Sequence, residues 1–114
     1  MNTDQARTSS MIVACVPDLM DRSKLAAAAA EPVRFVSLVE LNEIAPSASL
    51  VVIDLGRPGA VEAVARVPAE VRTIGFGSHV DRPTLDAARA AGCSVVLARS
   101  EFFRRVGELL GPQT

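Results

Sequence analysis

The ten residues LVVIDLGRPG, at positions 50–59, decide how this chain is read. Leu50, Val51, Val52 and Ile53 run without a polar break into Asp54, and a turn-forming Gly-Arg-Pro-Gly stretch follows Leu55. A strand with one wet face alternates apolar and polar residues. An unbroken, β-branched run this short is instead a strand buried on both faces, as in a parallel sheet. Pro58 stands where a first-turn proline is tolerated, so the run is expected to feed a helix that stops before Pro68.

Four similar runs lie on either side: MIVACV at 11–16, VRFVS at 33–37, VRTIG at 71–75 and SVVLA at 94–98. Only the second alternates, with Arg34 between Val33 and Phe35, and it is expected at a sheet edge. Successive runs start 17 to 23 residues apart, which leaves room for one short helix in each gap. Those gaps carry helix signals. Asp18 caps a segment over 19–30 that ends in an alanine run; Leu38, Leu41 and Ala45 form a second helix closed by Pro46. Asp81 and Pro83 open a fourth that Gly92 closes, and Ser100 caps a fifth with Phe102, Phe103, Val106, Leu109 and Leu110 on one stripe. Five βα units joined by right-handed crossovers predict a flavodoxin-like (βα)5 three-layer sandwich. Its parallel five-stranded sheet has the order 2-1-3-4-5.

The chain has 114 residues, enough for one core. Residues 11–111 form the expected single domain, and the polar segment 1–10 is read as a disordered leader. With no Trp or Tyr and four Phe, the core rests on Val, Leu, Ile and Ala. A net charge of −1 and the lack of a basic block argue against nucleic-acid binding. No apolar run reaches the ~18 residues of a membrane span. Cys15 and Cys93 lie in or beside apolar stretches, with no second Cys or His at ligand spacing. They are expected as buried free thiols in a cytoplasmic protein, with neither metal nor cofactor.

In this order the motifs resemble the receiver domain of bacterial response regulators, the CheY-like family. There the third strand ends in a phosphoacceptor Asp with Pro and Gly shortly after, matched by Asp54, Pro58 and Gly59. The fourth strand ends in a switch hydroxyl, matched by Ser78, and the fifth in a Lys seven residues past a glycine. Counting from Gly92, that position holds Arg99. The resemblance spans residues 11 to about 110. Two departures matter. Receivers end the first strand in two acids that hold Mg²⁺, whereas this chain has Cys15, Val16 and Pro17, and Val96 stands where the family's switching aromatic sits.

These departures predict a degenerate pseudo-receiver. It would be a non-enzymatic signalling module that acts through a protein partner or homodimer, without Mg-dependent phosphorylation of Asp54. The expected contact face is the fourth helix, fifth strand and fifth helix, where the adjacent Phe102 and Phe103 cannot both point inward. Asp18 and His79 are expected on the pocket rim. Arg99 is expected to bend over the third strand end to Asp54, with Ser78 donating a further hydrogen bond; the alternative has loop amides satisfying Asp54. The competing function is a small domain binding an anion or nucleotide at the carboxyl ends of the strands. His79 beside Ser78 is not read as a catalytic pair, because neighbours on one backbone do not set hydroxyl against imidazole.

Overall fold

The computed structural model describes residues 11–112, so the expected leader over 1–10 lies outside the described residues. Strands and helices alternate as β1 (Ile12–Cys15), α1 (Leu19–Ala28), β2 (Val33–Phe35), α2 (Leu38–Ile44), β3 (Leu50–Asp54), α3 (Ala60–Arg66), β4 (Arg72–Gly77), α4 (Arg82–Ala90), β5 (Val95–Ala98), α5 (Arg99–Arg104) and α6 (Val106–Leu110). A 3₁₀ turn, Ala45–Ser47, extends α2. The strands pair in parallel in the order β2-β1-β3-β4-β5, the flavodoxin-like arrangement expected from the sequence.

Alternation along each strand divides the apolar residues between two cores. Val13, Cys15, Val51 and Ile53 face one side, against Leu41, Ala60, Val64 and Leu85 of α2, α3 and α4. Ile12, Ala14, Val52, Ile74 and Phe76 face the other, against Leu25, Phe102, Leu109 and Leu110 of α1, α5 and α6. Both faces of β1 and β3 are therefore covered, which is why their sequences are continuous apolar runs. β2 lies at one edge and β5 at the other, and every residue of β5 is only half-buried.

Helix starts follow the caps. Asp18 accepts from the Asp21 amide at 3.0 Å and Asp81 from the Thr84 amide at 3.3 Å. Ser37 and Glu40 form a reciprocal capping box on α2. This box holds the Glu40 carboxyl below its usual range, chiefly through the Ser37 amide. Gly92 adopts φ +103°, as a left-handed cap requires.

Three helix boundaries differ from expectation. α1 stops at Ala28 although alanine favours continuing, because Pro32 drives the preceding chain extended and the Ala30 amide donates to Leu110 O at 2.9 Å. α3 begins at Ala60, not at Pro58, after Gly59 turns the chain at φ +89°. Ser100 is no cap: α5 already starts at Arg99, with Ala98 at its N-cap and no side-chain cap there. The last helix is also broken at Arg105 (φ −106°, ψ 8°) into α5 and α6, yet the apolar stripe survives the break.

At the amino ends of the strands a cavity of about 480 Å³ is lined by Ile12, Leu50, Arg72, Leu109, Leu110 and Pro112, among others. Gly111 holds the chain tight here. A Cβ on it would collide with the Gly107 carbonyl oxygen, which is backbone and cannot swing aside. Gly111→Ala is expected to lower stability by about 1–3 kcal/mol, the usual cost of forced overpacking. Urea unfolding of the two chains checks this.

Candidate functional site

In an open α/β sheet, side chains at the carboxyl ends of the strands converge beside the crossover where the strand order reverses. β1 leaves this edge through Val16 and Pro17. Asp18 turns its carboxylate back onto the start of α1. Asp54 ends β3 beside Phe76 of β4; its Oδ1 accepts from the Gly56 amide at 3.0 Å. Ser78 follows β4 and accepts from the Val80 amide at 3.3 Å. His79 is exposed beside Arg82, Leu85 and Glu101 on a groove of about 290 Å³ along α4, β5 and α5.

Arg99 does not pair with Asp54. Its Nη2 donates to Asp21 Oδ1 at 2.5 Å, and Asp54 has no ion pair among the described residues. The loop-amide alternative thus describes Asp54, and Ser78 donates nothing to it. The reason lies on the opposite helix. Asp21 stands one turn before Leu25, on the inner face of α1, and is only 1 % exposed. A carboxylate so buried needs a cation, and Arg99, first residue of α5 on the same face, supplies it. Phe103 and Phe76 present ring faces 5.0 and 5.8 Å from the guanidinium carbon and hold it in place. The hydrogen bond to Asp21 raises the Arg99 pKa further, against desolvation and with help from the charges of Asp21, Asp54 and Asp18. Asp21 Oδ2 remains buried without a hydrogen-bond partner.

Sequence reasoning missed Asp21. The signal was present as a lone acid at i−4 from a core leucine, on the side where a helix should be apolar. The adjacent phenylalanines divide as expected. Phe102 is fully buried and stacks on Phe76 at 4.6 Å, while Phe103 is half-buried and meets both rings edge-on. The outer face of Phe103 is not bare, since Lys24 approaches its centroid to 5.1 Å.

Beyond β1 the surroundings are cationic. Arg22 donates through Nε to Val16 O at 2.6 Å and lies over the Phe35 ring at 5.2 Å. Cys15, a buried thiol, is pushed above its ordinary pKa by burial; Arg57 and Arg22 pull it down and Asp54 pushes it up. Cys93 is likewise buried, free and raised by desolvation. Among the described residues no three His, Cys, Asp or Glu side chains are placed to hold a metal ion.

No family model matches the chain, and no curated protein matches it by sequence. Solved structures do. A response regulator from Hahella chejuensis is 16% identical with a TM-score of 0.72, over 90% of this chain and 92% of that one. A phosphorylated cyanobacterial phytochrome response regulator is 13% identical, with a TM-score of 0.69 over 88% and 90%. A CheY-like protein, TadZ, from Pseudomonas aeruginosa is 21% identical, with a TM-score of 0.61 over 92% and 96%. The chain therefore has the CheY-like receiver fold.

Replacing Arg99 by Met strands the buried Asp21 charge. The expected cost is about 1–3 kcal/mol, less than for a wholly buried pair because the guanidinium is half in water. In a double-mutant cycle with Asp21→Asn, the double variant is expected to be more stable than the sum of the single losses. Additive losses in urea unfolding would show that the pair carries no coupling.

Proposed function

We propose that this chain is a receiver-like regulatory module that works through contact with a protein partner or a second copy, without Mg-dependent phosphorylation of Asp54. The observation that carries the reading is the engagement of Arg99 with Asp21. The cation at the lysine position of a receiver is spent on a structural carboxylate of α1. Asp18 is likewise occupied at the helix cap, and the end of β1 offers a thiol and a proline. Phosphoryl transfer to a carboxylate relies on a divalent ion to offset charge on the moving group. Such an ion takes oxygen ligands, and Asp54 alone is a poor competitor for water. The hydroxyl of Ser78 accepts from the Val80 amide, and His79 lies exposed on the groove beside α4, an arrangement in keeping with a non-catalytic role.

For the contact face, support comes from the half-buried β5 edge and the groove beside it, lined by Arg82, Leu85, Arg89, Val96, Leu97 and Glu101. An apolar floor with a charged rim suits a modest protein interface. Phe102 is buried and takes no part in that face, and Phe103 turns instead toward Lys24 of α1. Solved structures of this fold include a phytochrome response regulator and a putative pilus assembly-related protein from Burkholderia pseudomallei. That breadth agrees with a fold used as a contact module. No helix among the described residues is long and apolar enough to cross a membrane.

Two measurements test the reading. After incubation with acetyl phosphate and Mg²⁺, intact-mass analysis is expected to show no phosphoryl adduct; an adduct absent from Asp54→Asn would overturn the proposal. Sedimentation over rising concentration is expected to show self-association that Arg82→Glu weakens. A strict monomer that captures no protein through this face would remove the contact role.

A further inference from the structure

A second cleft, of about 450 Å³, opens at the carboxyl ends of β1 and β2. Its floor is Cys15, its apolar walls are Pro17, Phe35, Leu38 and Val39, and its cations are Arg22 and Arg57. The size falls in the range of small-molecule sites, and the lining is divided about evenly between apolar and polar surface, so a ligand with both kinds of group fits it. It adjoins the gap between β1 and β3, where the strand order of this sheet reverses.

Three features point to what it takes. Arg57 is exposed, and its guanidinium has no hydrogen bond or ion pair among the described residues. Arg22 is fixed by its Nε on Val16 O and by packing over Phe35, and its terminal nitrogens are left without partners among the described residues. Val39, at the mouth, is 72% exposed, one of the few large apolar residues so open. Glu40 on the same rim turns its carboxylate onto the Ser37 amide at 2.9 Å, and Asp54 spends Oδ1 on Gly56. Two guanidinium groups therefore stand against one carboxylate in the lining, and theirs are the charged donors left without partners among the described residues. Arg57 also ranks above Asp54 and Arg22 among the charges acting on the Cys15 thiol, which places its field over the floor.

We infer that this cleft binds a small oxyanion, carboxylate or phosphate, joined to an apolar body, with Arg57 as the anion's main anchor, Arg22 as its second, and Phe35, Leu38 and Val39 against the apolar part. The inference rests on reading the strand ends as a site that works without phosphoryl transfer. A non-covalent anion would then stand as the input that a covalent one supplies elsewhere on this fold.

The test is thermal unfolding of the full chain against hydrocinnamate, phenyl phosphate, inorganic phosphate and the uncharged hydrocinnamide. A ligand bound only by the native state raises its melting temperature saturably. Either aromatic anion is expected to do so, with the tighter one naming the oxyanion, while the amide gives no saturable shift and inorganic phosphate only a weak one. Arg57→Gln is expected to weaken the effect about tenfold or more, since it removes a charge-assisted hydrogen bond. Asp54→Asn is expected to keep it. Methyl NMR of the same titration should move Leu38 and Val39. No saturable shift with either aromatic anion, an equal shift with the amide, or unchanged binding by Arg57→Gln would overturn the inference. A phosphoryl adduct on Asp54 with the shift intact would instead remove the non-phosphorylated reading and leave the cleft standing.

Discussion

Asp21 is a carboxylate placed where the sheet and helices leave almost no water, and much around the strand ends follows from satisfying it. Among the described residues, Arg99 is the cation that reaches it. That demand draws the guanidinium across the ring faces of Phe103 and Phe76, joins α1 to α5, and takes the cation from Asp54. Asp54 then settles on a backbone amide of its own loop. One Asp on the inner face of a helix thus governs the chemistry of an acid on a different strand. The arrangement is tense as well as strong, for the second oxygen of Asp21 is buried and unpartnered, which costs free energy that the ion pair must offset.

The fold was legible because its code is local and repeated. Five unbroken apolar runs at regular spacing admit few arrangements other than a doubly wound parallel sheet. The alternating Val33-Arg34-Phe35 correctly announced an edge. Helix boundaries were less legible wherever a tertiary demand overrode propensity. The alanine run 26–30 reads as helix throughout, yet Ala29 and Ala30 turn out to meet α6. Ser100 has the right residue type for a cap, but the strand-to-helix transition puts the N-cap two residues earlier, on Ala98.

The site was legible in its positions and not in its partners. Asp54, Ser78 and Arg99 all lie at strand carboxyl ends, as the spacing implied. Which acid Arg99 would choose depended on a contact 78 residues away, between a helix and a strand end, and no motif records such a contact. The cleft lined by Arg57 and Arg22 was harder still to foresee. Both arginines look like ordinary surface charges in the sequence, and only the fold shows that they overhang one hollow with Phe35 at its wall.

Ile12, which begins the first strand, and Pro112, the last residue described, line the same cavity at the amino ends of the sheet. The folded unit is therefore a loop of chain that departs from and returns to one wall. Units of that shape can be cut elsewhere and rejoined at their ends with little spanning material, or carried inside another polypeptide without forcing its flanks apart. In a larger architecture, this fold would hang from a single attachment point and leave its strand carboxyl ends, on the opposite side, free to face outward.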